Sequence, residues 1–110
     1  MKDSEIKFIV SLDENKIPEK IQWEATDSGI TGRKDCRAIM LSMWDSADKT
    51  TMRFDLWTKD MPVDDMKRFF YESFMSMADT YQRATQDPSG ATEIRKFSES
   101  FAQKTELFRK

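Results

Sequence analysis

The sequence predicts one α+β domain, residues 1–110, with the element order β-β-α-β-α-α. Three observations support this prediction: apolar and polar residues alternate near the N-terminus, a central segment has helical spacing, and two amphipathic segments fill the C-terminal half. A chain of 110 residues is near the common size of a single domain. We expect a three-stranded, mostly antiparallel sheet with the helices packed on one face.

The first two strands are predicted to form an antiparallel hairpin. Residues 5–12 alternate with the period of a half-buried strand, and Ile9 falls on the more polar side of that alternation. Residues 13–16 form a polar turn, and a second alternating run covers residues 21–24. Pro18 cannot donate a backbone hydrogen bond, so it lies before the second strand or at its edge.

A loop, a helix and a third strand are predicted next. Residues 26–34 contain two of the three glycines and are expected to form the loop. From residue 35 to about residue 49, helical spacing connects Cys36, Ile39, Met40, Met43, Trp44 and Ala47. In the third strand, residues 50–58, one set of side chains is expected to face the core, namely Met52, Phe54 and Leu56. The opposite face then carries Arg53, Asp55 and Trp57.

Two longer helices are predicted in the C-terminal half. Pro62 can open the first of them, because the first N–H groups of a helix have no intrahelical acceptor. Asp64 and Asp65 in its first turn suit the positive end of the helix dipole. Residues 87–90, Asp-Pro-Ser-Gly, separate this helix from the next, which is predicted for residues 92–108. Four aromatic residues are expected to be largely buried: Trp23, Trp44, Phe54 and Phe70.

The composition argues against disorder and against nucleic-acid binding. Hydrophobic residues make up 38% of the chain and include eight Phe and three Trp, whereas disordered chains have few aromatics. The 18 basic and 20 acidic residues give a net charge of −2, and nucleic-acid binding usually needs a basic excess. The N-terminal residues are charged, and the longest apolar stretch, residues 38–41, is far too short to cross a bilayer. We therefore expect a cytoplasmic protein with no membrane insertion and no nucleic-acid partner.

The sequence shows no recognisable catalytic or metal-binding apparatus. Histidine, the commonest general base and neutral metal ligand, is absent. Cys36 is the one cysteine, and its place on an apolar stripe indicates a buried structural residue. The carboxylate pairs Asp13–Glu14 and Asp64–Asp65 lie in a predicted turn and at a predicted helix start, where acidic residues have local roles. We therefore expect no catalytic residue, no cofactor and no metal ion, and interpret the protein as a non-enzyme.

The face of the predicted sheet that the helices leave open is the candidate partner-binding surface. Trp57 points to this face if its neighbours in the third strand face the helices, and Ile9 lies on the same side. Arg53 and Asp55 complete the candidate surface. The alternative is that Trp57 packs against a loop or against the helix that Pro62 opens.

Three stretches of the chain form a recognisable set. They are residues 12–23 (LDENKIPEKIQW), residues 38–45 (AIMLSMWD) and, most specifically, residues 55–67 (DLWTKDMPVDDMK), which continue to residue 80. Together they resemble the gliding motility-associated GldC family of Bacteroidetes. The resemblance implies a soluble accessory protein of the gliding machinery, which is linked to type IX secretion. It also implies no enzymatic activity, no cofactor and no catalytic residue.

The function predicted from the sequence is that of a non-enzymatic protein-interaction module, a cytosolic accessory protein of the gliding machinery. Its partner would be another gliding component, or a second copy of the chain in a homodimer. The alternative is a small-ligand-binding or chaperone-like domain that uses a groove between sheet and helices. A third reading, an enzyme with an unusual site, would need a buried lysine or carboxylates contributed by two subunits.

Overall fold

The computed structural model describes residues 2–27, 29 and 31–108. In this part of the chain, the elements follow in the order β1 (Ile6–Leu12), β2 (Pro18–Ala25), β3 (Lys34–Cys36), β4 (Ala38–Asp45), β5 (Thr50–Trp57), α1 (Val63–Thr85) and α2 (Pro88–Lys104). They form two compact units, Met1–Met61 with the strands and Pro62–Lys110 with the helices. The predicted α+β class is confirmed. That residues 1–110 form one domain, and that the helices pack on one face of a sheet, stay predictions.

The predicted N-terminal hairpin is confirmed. β1 and β2 are antiparallel, with Phe8 opposite Trp23 and Val10 opposite Ile21. Because opposed residues share a face of a sheet, one face of this pair is apolar. It contains Ile21, which is fully buried. β3 pairs with the other edge of β2 and completes a three-stranded sheet in the order β1-β2-β3.

A carboxylate organises the turn between β1 and β2. Asp13 Oδ1 accepts hydrogen bonds from the backbone N–H groups of Asn15 and Ile17, at 2.8 and 3.0 Å. Lys16 adopts a left-handed conformation with φ of 63°, and its N–H donates to the carbonyl of Asp13 at 2.9 Å. Aspartate side chains that bond to the backbone two residues further on are common turn formers. The predicted polar turn therefore has a specific organising residue.

The helix predicted for residues 35–49 is wrong, because this segment forms β3 and β4. Its apolar residues fit helical spacing, but they also occupy both sides of an extended strand, so the period alone does not decide between the two. The decisive contacts lie outside the segment: β4 pairs with β5, the next strand along the chain, from Ala38 opposite Trp57 to Asp45 opposite Thr50. Of the loop predicted for residues 26–34, residues 28 and 30 lie outside the described residues, and Lys34 already belongs to β3.

The predicted three-stranded sheet is only partly right. The strand predicted for residues 50–58 is confirmed as β5, but it pairs with β4 in a separate two-stranded sheet. The third position in the three-stranded sheet belongs to β3, of which Asp35 and Cys36 lie in the segment predicted as the first helix. The error in the sheet and the error in the helix therefore have one cause, the misassignment of residues 35–49.

The two helices predicted for the C-terminal half are confirmed, but both ends of the second one differ from the prediction, and α2 ends at Lys104 rather than at residue 108. α1 begins directly after Pro62, as predicted. α2 begins at Pro88 rather than near residue 92, because the Asp87 carboxylate caps it and accepts a hydrogen bond from the N–H of Gly90 at 3.2 Å. Aspartate at the cap followed by proline is a strong helix start. Among the described residues, neither helix is long and apolar enough to cross a membrane.

Small residues bring α1 and α2 together. Four of them are fully or almost fully buried: Ala78, Ala91, Ser98 and Ala102. Beside them, the Phe74 ring contacts the rings of Phe97 and Phe101 edge-on, each with a centroid distance of 5.3 Å. Edge-to-face aromatic pairs contribute stability beyond the area that they bury. The helical hairpin therefore has an interface of its own, made of small side chains and interlocked rings.

Candidate interaction surface

The β4–β5 hairpin has two faces, which its register defines because directly opposed residues share a face. The Trp57 face consists of Ala38, Met40, Ser42, Trp44, Thr51, Arg53, Asp55 and Trp57. The Phe54 face consists of Ile39, Leu41, Met43, Met52, Phe54 and Leu56. Three of the four residues predicted to bind a partner therefore lie on one face: Arg53, Asp55 and Trp57.

The turn between β4 and β5 sets this register. Asp45 Oδ1 accepts hydrogen bonds from the N–H groups of Ala47 and Asp48, at 2.9 and 3.2 Å. The N–H of Lys49 donates to the carbonyl of Asp45 at 2.8 Å, and Lys49 is left-handed with φ of 54°. The arrangement repeats that of the first hairpin, with aspartate at the start of the turn and a left-handed lysine at its end.

Arg53 and Asp55 form an ordered ion pair on the Trp57 face. Arg53 donates through Nε and Nη2 to the two carboxylate oxygens of Asp55, at 3.2 and 2.8 Å, and through Nη1 to Ser42. Two parallel bonds hold an arginine and a carboxylate in one relative geometry. Trp57 is 56% exposed, although tryptophan is usually well buried. The face therefore presents an exposed indole ring and a preordered pair of charges.

Ile9, the fourth predicted residue, belongs to the other sheet. It lies in β1 opposite Gln22, which in turn lies opposite Asp35 of β3. Ile9 therefore lies on the more polar side of its sheet, as predicted. It does not share a sheet face with Trp57, because β1 and β5 belong to different sheets. The reason is that β5 pairs with β4 and not with β1 or β2.

The Phe54 face, which the sequence predicts to be core, is half exposed near the turn. Phe54 is 52% exposed and Met52 is 51% exposed. Trp44, also predicted to be buried, is 65% exposed on the Trp57 face. A two-stranded sheet has two open faces and little to cover them, so its apolar side chains cannot all be buried within the hairpin. The signal for this was present in residues 38–45, where apolar residues occupy both alternating positions.

A second apolar surface lies on the helical hairpin. Val63, Phe70 and Met77 recur every seven residues and therefore lie on one side of α1. All three are exposed, and Phe70, which the sequence predicts to be buried, is 37% exposed. The Phe70 ring contacts that of Phe74, which contacts that of Phe97 on α2, so this surface continues onto the second helix.

Asp13 has a structural role in the turn between β1 and β2. Besides its bonds within the turn, its Oδ2 accepts a hydrogen bond from Nζ of Lys59 at 3.0 Å. The Ile17 N–H and the Lys59 ammonium group hold the pKa of Asp13 below its usual value, and the Asp13 carboxylate raises the pKa of Lys59. A carboxyl group that stays ionised is a poor proton donor near neutral pH. This agrees with the local role that the sequence predicts for the carboxylate.

Cys36 lies half-buried in β3, and this burial raises the pKa of its thiol. The thiolate is the reactive form of cysteine, so a raised pKa makes the side chain less reactive. Among the residues that the structure describes, no three cysteine, aspartate or glutamate side chains converge into a set that could hold a metal ion. The main candidates for a functional site are therefore the exposed apolar surfaces of the β4–β5 hairpin and of the helical hairpin.

Comparison with known proteins places the chain in a family. No curated protein and no solved structure matches it. A family profile described as gliding motility-associated protein GldC-like matches residues 18–107, which include the whole β4–β5 hairpin and both helices. The resemblance found in the sequence is confirmed by this match. The chain therefore belongs to the gliding motility-associated GldC-like family.

Proposed function

We propose that this protein is a non-enzymatic interaction module that binds a protein component of the gliding machinery through its Trp57 face. The observation that supports the proposal is the exposed Trp57 beside the Arg53–Asp55 ion pair. Membership of the GldC-like family supports the connection with gliding. In this proposal the protein works in the cytoplasm as an accessory of the machinery, which is linked to type IX secretion.

The chemistry of the Trp57 face suits a protein partner. Tryptophan and arginine are among the residues that most often supply the large binding energies in protein interfaces. Arg53 is already held by Asp55 and Ser42, so binding would cost little further side-chain entropy. We expect the partner to offer an apolar pocket for the indole ring and polar groups around it that complement Arg53 and Asp55.

Affinity capture from an extract of the native host, quantified by mass spectrometry, tests this proposal. The bait is the wild-type protein, the Trp57→Ala variant or the Phe97→Ala variant. Phe97 is a matched control because it is an aromatic residue of nearly equal exposure on α2. We expect gliding or secretion components to be enriched by the wild type and by Phe97→Ala, and to be depleted at least about tenfold by Trp57→Ala.

Two results would contradict the proposal. Equal capture by Trp57→Ala and by the wild type, with both folded by circular dichroism, would show that the Trp57 face does not bind the partner. Capture that depends on Trp57 but returns no gliding or secretion component would reject the gliding role and retain the interaction surface.

A second candidate function is chaperone-like binding of extended polypeptides. Its support is the number of exposed apolar side chains in both units, which include Met52 and Phe54 on the strands and Met77 and Phe97 on the helices. Suppression of the aggregation of an unfolded client protein, followed by light scattering, separates the two functions. A chaperone would suppress aggregation and would retain most of this activity in Trp57→Ala, because its binding energy is spread over many side chains.

A further inference from the structure

The outer edge of β5 carries backbone groups that no strand of the described chain binds. Within the described residues, β5 pairs with β4 alone. The N–H of Thr58, just beyond the end of β5, donates to the carbonyl of Arg37 at 2.8 Å, so the backbone groups of Thr58 point toward the β4 side. In an antiparallel pair this direction alternates from one residue to the next. The backbone groups that point away from β4 therefore belong to Thr51, Arg53, Asp55 and Trp57.

Of the features with which proteins usually protect an edge strand, this edge has only charged side chains, those of Arg53 and Asp55. Other common protections are a proline, a bulge, a very short strand or a covering segment. β5 is eight residues long, contains no proline, and pairs with β4 without a register shift. The start of β2 approaches the C-terminal end of this edge, where the N–H of Lys59 donates to the carbonyl of Pro18 at 3.1 Å. Among the described strands, none pairs with residues 51–57 on this side.

The sequence along this edge complements itself. We propose that two copies of the chain pair antiparallel through their β5 edges, with a two-fold axis between the two Phe54 residues. In this register, Arg53 of each copy lies opposite Asp55 of the other copy. Opposite charges placed directly across antiparallel strands stabilise the pairing. A two-fold axis repeats every favourable contact, so the two Arg53–Asp55 contacts form together.

Charge and backbone bonding disfavour the neighbouring registers. If one strand shifts by two residues in one direction, the Arg53 side chains of the two copies lie opposite each other. If it shifts by two residues in the other direction, the two Asp55 side chains lie opposite each other. Like charges in directly opposed positions destabilise a strand pair. A shift of one residue would place outward-pointing backbone groups opposite inward-pointing ones, which cannot bond. The edge of β4 has no charged residue between Ala38 and Trp44, so it has no comparable means of selecting a register.

The pairing turns two exposed hairpins into one four-stranded sheet in the order β4-β5-β5-β4. About eight backbone hydrogen bonds would form across the new junction. On the Phe54 face, the two Phe54 side chains meet, and Met52 of each copy lies opposite Leu56 of the other. These contacts cover side chains that are half exposed in the single chain. A sheet of four strands with an apolar face is also more stable than an isolated hairpin.

Self-association through the edge does not depend on the proposed function. Arg53 and Asp55 contribute to both interactions, but the edge binds mainly through the backbone of β5, whereas the partner of the proposed function is anchored by the Trp57 side chain. In the paired sheet, Trp57 lies opposite Thr51 of the second copy and stays on the same face. Trp57→Ala is therefore expected to abolish partner capture and to leave self-association intact, which distinguishes failure of one interaction from failure of the other.

Charge reversal tests the register, with sedimentation equilibrium as the measurement. We expect the wild type to be a dimer, and Arg53→Asp and Asp55→Arg each to dimerise at least about 100-fold more weakly, because four like charges then meet at the junction. An equimolar mixture of the two variants is expected to form a heterodimer, since the acidic pair of one variant faces the basic pair of the other. In each variant, residues 53 and 55 of one strand carry the same charge, and mixing does not change this. Dimerisation that returns in the mixture is therefore due to contacts between the two chains.

A cysteine cross-link tests the position of the two-fold axis without altering charge. In a Cys36→Ser background, Phe54→Cys places two thiols directly opposite each other, at the closer kind of antiparallel pair, where a disulfide can form. The matched control, Met52→Cys in the same background, places its thiol opposite Leu56 and is expected to cross-link at least tenfold less. A monomeric wild type at about 0.1 mM, no heterodimer in the mixture, or a cross-link favoured at position 52 would each overturn the proposal.

Discussion

The helical hairpin and the β4–β5 hairpin carry similar apolar side chains, but only the first buries a substantial part of them within itself. Between α1 and α2, four small residues are almost completely buried, and the Phe74 ring has aromatic neighbours on both helices. In the β4–β5 hairpin, Phe54 has one neighbouring strand and is half exposed. Two helices can cover each other's apolar stripe, whereas two strands leave two faces and an edge uncovered.

The two hairpins also differ in where their polar contacts lie. In the helical hairpin they connect the two helices: Arg95 on α2 donates to Asp79 and Gln82 on α1, at 2.9 and 3.0 Å. In the β4–β5 hairpin, the Arg53–Asp55 pair lies within one strand and faces solvent. Contacts between elements stabilise a particular packing, whereas an exposed pair within one strand contributes little to stability. We therefore expect the polar contacts between α1 and α2 to stabilise the protein more than the Arg53–Asp55 pair does.

The largest effect on stability is expected from the same substitution, phenylalanine to alanine, made in each of the two hairpins. Phe74→Ala removes a ring that contacts three others, and we expect a loss of about 3 kcal/mol in the free energy of unfolding. Phe54→Ala removes a half-exposed ring and is expected to cost about 1 kcal/mol in the single chain. Urea denaturation at low protein concentration measures both values. Equal losses would show that the two hairpins are packed to the same degree and would remove the contrast between them.

A smaller effect is expected at Gly90 in the first turn of α2. An added Cβ would lie 2.6 Å from Cε1 of Tyr81 and 2.7 Å from Oδ2 of Asp87, closer than side-chain atoms normally approach. Glycine to alanine usually stabilises a helix by about 1 kcal/mol. Here we expect Gly90→Ala to destabilise the protein by about 1–3 kcal/mol because of overpacking. Ser89→Ala, at the exposed neighbouring position, is the control, and thermal unfolding is the measurement. A stabilised Gly90→Ala protein would show that Tyr81 moves aside freely.

The Asp13–Lys59 pair predicts a pH dependence for the strand unit. The pKa of Asp13 is lowered, so its contribution is complete above its unfolded value of 3.8 and is lost as the pH falls through the lower folded value. The pKa of Lys59 is raised, so its contribution is complete below 10.5 and is lost as the pH rises through the higher folded value. We expect the stability difference between the wild type and Asp13→Asn to be constant between these limits and to shrink outside them. Glu14→Gln in the same turn is the control, and an unchanged difference below pH 3.8 would contradict the role of Asp13.

The smallest effect on stability is expected at Trp57. Its side chain is more than half exposed, so Trp57→Ala is expected to change the free energy of unfolding by no more than about 1 kcal/mol. Circular dichroism and the thermal midpoint check this expectation. A loss as large as that of Phe74→Ala would make Trp57 part of the packing of its unit and would remove it from the candidate surface.

Local signals were enough for much of the fold. The first hairpin follows from alternation and a polar turn, and the start of α1 follows from Pro62. The start of α2 was also readable, because Asp87 before Pro88 is a cap followed by a favourable first residue. For the candidate site, alternation in residues 50–58 correctly placed Arg53, Asp55 and Trp57 on one face. Periodicity within one segment carries this kind of information, since it reports which side chains share a side.

The amino-acid sequence was therefore enough to predict the family, the α+β class, the first hairpin and the two long helices. It took the three-dimensional structure to show that residues 35–49 form strands and a turn instead of a helix, that β5 pairs with β4, and that Trp44 and Phe54 are exposed. The physical reason is that a segment with apolar residues on both sides satisfies the helical and the extended period equally well. Which of the two forms is set by pairing with other strands, and that pairing leaves no mark on the period of the segment itself.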